Sequence, residues 1–279
     1  MKFFVPSAVF VLMVSVGMSL NLPQFVGNWR RLSIATWGKL LIATFIIPPI
    51  LWLVLGNLLP IDRGAFIGLF LVSVAPGAPL MTRGVAKRGF DMQLAASYQV
   101  WGALLTPIMI PLLVGAAGLL YGKSIWIPPG ELLMIIAKQQ FLPLLVGIAL
   151  MYFVPDLSTK IRGPLNVVGN VLLLVALVLL LVKMGPALAE VSPWVAIAAV
   201  LLAAGCIAGS FLLLLGTARE KTETLTICNV NRHVGLALII SGAHLRTPEA
   251  LPAIVAFAFT AQLIMWIYAR LTKRSTART

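Results

Sequence analysis

Nine apolar stretches, each long enough to cross a bilayer and joined by short polar links, constrain this chain more than anything else in it. A helical crossing takes roughly 20 apolar residues. By that measure the spans lie near 3–20, 33–59, 64–82, 93–119, 131–154, 165–184, 193–216, 222–245 and 249–271. Only 10% of the residues are charged and 60% are hydrophobic, whereas soluble domains carry about a quarter charged residues. Backbone in lipid has to satisfy its hydrogen bonds internally, so this sequence predicts an all-α membrane protein. Residues 1–279 read as a single polytopic domain. The opening MKFFVPSAVFVLMVSVGMSLN reads as an uncleaved first helix, because no small-x-small cleavage site follows it.

The formal net charge of +13 does not point to nucleic acid. The basic residues sit in the short links, where membrane topology explains them. One side collects Arg30, Arg31, Arg83, Lys87, Arg88, Lys160, Arg162, Arg219, Lys221, Arg270, Lys273, Arg274 and Arg278. The other holds Lys2, Arg63, Lys123, Lys183 and Arg246. The N-terminus is therefore expected outside and the C-terminus in the cytoplasm, with the protein in the cell membrane. Lys39 is expected to snorkel towards the cytoplasm; Lys138 either snorkels outwards or offers a second anion contact. Cys206 and Cys228 both fall in spans, so no disulfide framework is expected. No nucleotide-binding loop, metal-ligand spacing or Ser/His/Asp arrangement is present, and the links are too short for a soluble domain. The chain does not read as an enzyme, and no cofactor is implied.

Two spans are unlike plain helices. Span three carries Pro76, Gly77 and Pro79 within four residues of VSVAPGAPLMTRG. Proline removes a backbone donor and glycine loosens a helix, so a break is expected there. Span eight contains Cys228-Asn229-Val230-Asn231-Arg232-His233, too polar a run for an uninterrupted lipid-facing helix. Broken backbone at membrane depth is tolerated where it faces protein or water. The two breaks are five crossings apart. Five is odd, so equivalent segments would run in opposite directions, as in an inverted repeat whose discontinuous helices meet at a midplane site.

Arg232 is the main functional clue. A charged group at bilayer depth costs roughly 2.5–3.5 kcal/mol on insertion scales. The eight carboxylates of the chain all lie in links or near span ends. A buried cation without an acidic partner asks for an anion, and the planar guanidinium fork suits a carboxylate or sulfate.

Three patches of sequence carry a family resemblance. VGMSLNLPQF ends span one, APGAPLMTRGVAKRGFD covers span three and its exit, and TLTICNVNRHVGLAL lies in span eight. In order and separation they resemble the motifs of the bile acid:sodium symporter family. The resemblance implies two broken helices crossing near the membrane centre, where the family binds sodium and an organic anion. It also implies a core of spans two to four and seven to nine (about 33–119 and 193–271). This core would rock against a panel of spans one, five and six (about 3–20 and 131–184). Aligned on Gly235-Leu236-Ala237, the family's crossover glutamate falls on Cys228, its glutamine on Arg232 and its asparagine on His233. Its serine-asparagine pair falls near Met81-Thr82. Sodium takes hard oxygen ligands, and a thiol, a guanidinium and an imidazole supply none, so the usual sodium sites are not matched.

The candidate substrate-binding residues are Arg232, His233, Asn229, Asn231, Thr82, Ser97 and Gln99. His233 is either a proton-coupling group or a neutral imidazole donating to a carbonyl in the broken helix. Asn229 and Asn231 either bond substrate or satisfy backbone groups freed by the break. Ser97 and Gln99 fall roughly where the family places hydroxyl ligands for sodium, with helix–helix hydrogen bonding as the alternative. Thr82 is placed as a lining residue. Gln262 is a lone amide facing either the core or a neighbouring helix, with the neighbour expected, and Cys228 is read as a packed side chain. The function these features imply is alternating-access transport of a small organic anion with Arg232 as its charge partner and without stoichiometric sodium. Net coupling is then uniport, proton-linked or exchange. The competing readings are a non-transporting membrane sensor or assembly subunit that keeps the fold, and an arsenite-type oxyanion exporter suggested by Cys228.

Overall fold

A computed structural model describes residues 4–20, 22–31, 33–77, 85, 90–122, 127–189, 191–244 and 249–276. These are helical almost throughout, and no strand occurs among the described residues. The helices are α1 (Phe4–Met18), α2 (Leu22–Arg31), α3 (Ile34–Leu58), α4 (Arg63–Val74), α5 (Met92–Tyr121), α6 (Pro129–Phe153), α7 (Pro155–Ala189), α8 (Pro193–Leu213), α9 (Arg219–Val230), α10 (Val234–His244) and α11 (Ala250–Thr276).

Six of them, α3, α5, α6, α7, α8 and α11, are long and apolar enough to cross a membrane. The helices α1 and α4 are apolar but shorter. The expected span eight is divided into the half-length helices α9 and α10, separated at Asn231, Arg232 and His233. Cys228 and Asn229, read from sequence as part of the break, are still helical. Only the last three residues of that polar run leave the helix.

Other boundaries differ for identifiable reasons. The helix expected from about 165 begins at Pro155, because proline at a first helical position gives up a donor that has no partner there anyway. The polar stretch with Lys160 and Arg162, expected as a link, is thus the first part of a 35-residue helix. α2 covers a stretch read as a link. Span three stops being helical after Val74, well before the expected 82. Its N-terminal end is capped by the Asp62 carboxylate, which accepts from Ala65 N–H at 2.7 Å.

Packing falls into two neighbourhoods. α1 lies along α7 and α6, while α11 lies along α8 and α4, with α8 also against α3 and α9. Close approach in the first comes from glycine: a side chain on Gly17 would strike the backbone of Leu144 and Gly147, and one on Gly147 that of Val14 and Gly17. Small residues of this kind let membrane helices meet backbone to backbone.

Two helices contain a π-helical turn, Ile42–Ile46 within α3 and Ala137–Phe141 within α6. Each is followed at the same spacing by a proline, Pro48 and Pro143. In α3 the next residue is proline as well, and that pair has a direct bearing on the site.

Candidate functional site

The site starts from backbone carbonyls that their own helices leave wholly or partly unsatisfied. In α3, Ile47 N–H donates to Ile42 C=O, five residues back, and leaves Ala43 C=O without its usual donor. Thr44 C=O would need an N–H from residue 48 or 49, and both are prolines. In α4, Val72 and Ser73 belong to the last turn: Val72 C=O accepts from the N–H of the capping residue Ala75 at 3.2 Å, and Ser73 C=O has no helical residue four positions on to donate to it.

Two side chains from the α9 end satisfy these groups. Asn229 Nδ2 donates to Ala43 O at 2.8 Å and to Ser210 Oγ at 2.6 Å. Its Oδ1 accepts from Tyr98 Oη and from Arg232 Nη1, each at 3.1 Å. Tyr98 Oη is also 3.1 Å from Thr44 Oγ1. Arg232 donates through Nη2 to Thr44 O at 3.0 Å and to Ser73 O, and through Nε to Val72 O at 3.4 Å. Arg232 is 2% exposed. Among the described residues all its hydrogen-bond acceptors are uncharged oxygens, three carbonyls and one amide. The guanidinium also sits at the C-terminal end of α4, where the helix dipole favours a positive charge.

The backbone completes the connection: His233 N–H donates to Ala75 C=O at 2.8 Å. Ala75 is the residue at which α4 ends, directly before Pro76 and Gly77, and Gly77 has a φ of +78° that glycine adopts without strain. The two breaks therefore meet and cap each other. Pro79 and Thr82 lie outside the described residues.

His233 acts as the N-terminal cap of α10. Its Nδ1 accepts from Leu236 N–H at 3.1 Å, so in the neutral ring the proton is on Nε2. That nitrogen is buried and has no partner among the described residues. The expectation that the imidazole donates to a carbonyl is replaced by this capping bond. Asn231 donates to Ile227 O at 2.8 Å and to Met265 Sδ at 3.2 Å, and accepts from Gln262 Nε2 at 3.3 Å. Gln262 was not placed at the site by sequence, since a lone amide in a span has no signal that says which helix it meets.

Beside the break is a cavity of about 320 Å³. α1 and α7 contribute Val5, Val9, Leu12, Leu173, Ala176, Leu177 and Leu180; α11 contributes Phe257, Ala258, Phe259, Ala261 and Met265. Its polar lining is Asn231, Arg232, His233 and Gln262, next to Val234 and Gly235 at the start of α10. It is an apolar chamber with one polar end, and that end is the break between α9 and α10.

Ser97 and Gln99 are on α5 and are not among the residues lining this cavity. Ser97 Oγ donates to Gln93 O at 2.8 Å, a bond within its own helix. Gln99 is buried with both amide atoms unpartnered among the described residues. Asn229 is close to Arg232 but also outside the lining; all four of its hydrogen-bonding positions are used by protein. Cys228 is buried in α9 away from the cavity lining. Lys138 lies exposed in the π-turn of α6, and Lys39 donates to Leu215 O at 3.3 Å.

Residues 6–191 match the model of the Sodium Bile acid symporter family. The chain belongs to that family, whose members are membrane transporters, and it is a multi-pass membrane protein of that type. The matched stretch includes the first break and ends before the second. Comparison with functionally curated proteins returned no match.

Proposed function

We propose that this chain is a secondary transporter of a small organic anion that works by alternating access without stoichiometric sodium. The observation that carries the reading is Arg232. It is a buried guanidinium whose partners among the described residues are all neutral, at the polar end of an apolar cavity. Its hydrogen bonds offset desolvation but leave its charge in place. An anion with an apolar body fits both ends of the chamber, its head towards Asn231, His233 and Gln262 and its body against α1, α7 and α11.

In the full architecture we propose, the chain crosses the membrane nine times, with N-terminus outside and C-terminus in the cytoplasm. α1 and α4 complete the set of six longer helices, and α9 with α10 counts as one broken crossing. α4 and α9–α10 are the broken members of an inverted repeat. α3, α4, α5, α8, α9, α10 and α11 form a core, and α1, α6 and α7 a panel. The cavity lies between these groups, which is where rocking of one against the other would expose it to alternate sides.

The test is uptake into proteoliposomes with sodium replaced by choline, together with thermal stabilisation of purified protein by small organic anions. Sodium-independent uptake and an anion-induced rise in Tm that R232Q abolishes are expected. A strict sodium requirement refutes the sodium-free mechanism, and an unchanged shift in R232Q refutes the role of Arg232. The reading as a non-transporting subunit has one observation in its favour, since the bonds of Arg232 also pin the two breaks together. It requires that no organic anion alters Tm. Cys228, the residue that suggests an arsenite-type exporter, does not line the cavity.

A further inference from the structure

The chamber beside the break has a definite size and a single polar end. Its volume is about 320 Å³. At roughly 30 Å³ for each non-hydrogen atom in a condensed phase, about ten such atoms fill it. Arg232 is the one permanently charged residue of its lining. The other polar members, Asn231, His233 and Gln262, belong to the same end, Gln262 through its bond to Asn231. No other side chain of the lining carries a nitrogen or an oxygen. The wall that α1 contributes is tightly interlocked with its neighbours. A Cβ on Gly169 of α7 would lie 2.7 Å from Leu12 Cγ, and one on Gly235 at the start of α10 would lie 2.8 Å from Val9 Cγ2. Packing this close leaves the chamber its shape.

We infer that the carried anion is a compact monocarboxylate of about ten non-hydrogen atoms, with an apolar body and no polar group at its far end. This inference rests on the anion reading above and narrows it to a substrate class. One fixed positive charge matches one carboxylate, the small planar head that leaves most of the volume to the body. A second acid group or a hydroxyl at the far end would lie against hydrocarbon without a hydrogen-bond partner, which weakens binding about ten-fold or more. Each methylene added up to the size of the chamber strengthens binding about four-fold, by the apolar surface it buries. Beyond that size the gain stops. A bile acid, the solute in the family's description, is too large for this chamber, and its ring hydroxyls would face the aliphatic walls.

The experiment follows thermal unfolding of full-length protein in detergent with butanoate, octanoate, dodecanoate, octanedioate, octan-1-ol and cholate, each below its micellar concentration. Octanoate, with ten non-hydrogen atoms, is expected to raise Tm saturably at the lowest concentration of the set, as a ligand of the native state does. Octanol is expected to give no saturable rise. Leu177 of α7 and Ala258 of α11 both line the chamber. L177A removes three carbons from the wall and is expected to move the preferred chain about three carbons longer, while A258L moves it about three shorter. L173A enlarges the same wall and replaces L177A if that variant does not fold. Because partition into detergent is the same for every variant, a moved preference reports the chamber. Cholate or dodecanoate binding wild type as tightly as octanoate overturns the inference, and so does octanedioate at parity with octanoate. A preference that stays in place in the enlarged and the filled variants overturns it as well. Octanol as effective as octanoate would make the chamber a groove for lipid tails and overturn it too. If organic anions raise Tm without regard to chain length, only the substrate class falls; if none raises Tm, the anion reading falls with it.

Discussion

Arg232 Nη2 donates to the carbonyl oxygen of Thr44 at 3.0 Å, across 188 positions of sequence. The bond exists because Pro48 and Pro49 remove both N–H groups that could otherwise have reached that carbonyl from within α3. A pair of imino acids in one helix thus defines where the charge of another segment rests.

Replacing Pro48 by alanine returns a donor to α3, within reach of Ala43 or Thr44. The π-turn is expected to relax towards an α-helix and to compete with Asn229 and Arg232 for their acceptors. P48A should keep its far-ultraviolet helix signal while uptake in proteoliposomes falls at least several-fold. Wild-type uptake with the helix signal retained would show that the freed carbonyls do not position the guanidinium.

N229D tests whether the positive charge itself is what counts. The carboxylate would pair with Arg232 while losing the donors to Ala43 O and Ser210 Oγ. Each buried acceptor left without a donor costs about 1–3 kcal/mol, so a lower Tm is expected together with loss of stabilisation by organic anions. A folded N229D that still responds to anions as wild type does would contradict the charge-partner role of Arg232.

Much of the fold was legible in the sequence, and the site only in part. Long apolar runs report crossings because lipid forbids unsatisfied backbone, and Pro76–Gly77 and Asn231–His233 reported the breaks because proline, glycine and clustered polar groups do not sustain a lipid-facing helix. Arg232 stood out as a charge where charge is expensive. Its acceptors did not, because carbonyls carry no side-chain identity and Thr44, Val72 and Ser73 look ordinary as residues. The single available sign was Pro48–Pro49, which has meaning only once orphaned carbonyls are counted. Gln262 and the apolar lining from α1 and α7 depend on tertiary contacts that no local pattern encodes. Ser97 and Gln99 were reached by resemblance, and they are not among the residues that line this cavity.

His233 separates capping from binding. H233A removes the acceptor for Leu236 N–H and should cost about 1 kcal/mol, as loss of an N-cap does. H233N supplies a good capping oxygen and should restore most of that stability. Both variants lack the Nε2 donor, so both are expected to bind organic anions more weakly, read as a higher concentration for half-maximal Tm shift. Wild-type anion affinity in H233N would limit the imidazole to its capping role.

The glycine contact between α1 and α6 is expected to tolerate no side chain. G17A and G147A each force backbone apart, because the added methyl meets main-chain atoms rather than flexible side-chain ends. Overpacking of this kind costs about 1–3 kcal/mol, visible as a lower Tm in detergent. Either variant melting with wild type would mean that α1 and α6 are less closely held.

A counter-ion that cannot leave has an electrical consequence. A carrier that travels with a dissociable sodium can move its anionic cargo as a neutral pair; under the uniport form of the proposed function, a positive group that stays with the chain at Thr44 and Ser73 would leave one net negative charge to cross per monovalent anion carried. Each such charge is worth about 2.3 kcal/mol per 100 mV. Under an inside-negative voltage, such uniport of a monovalent anion would run outwards.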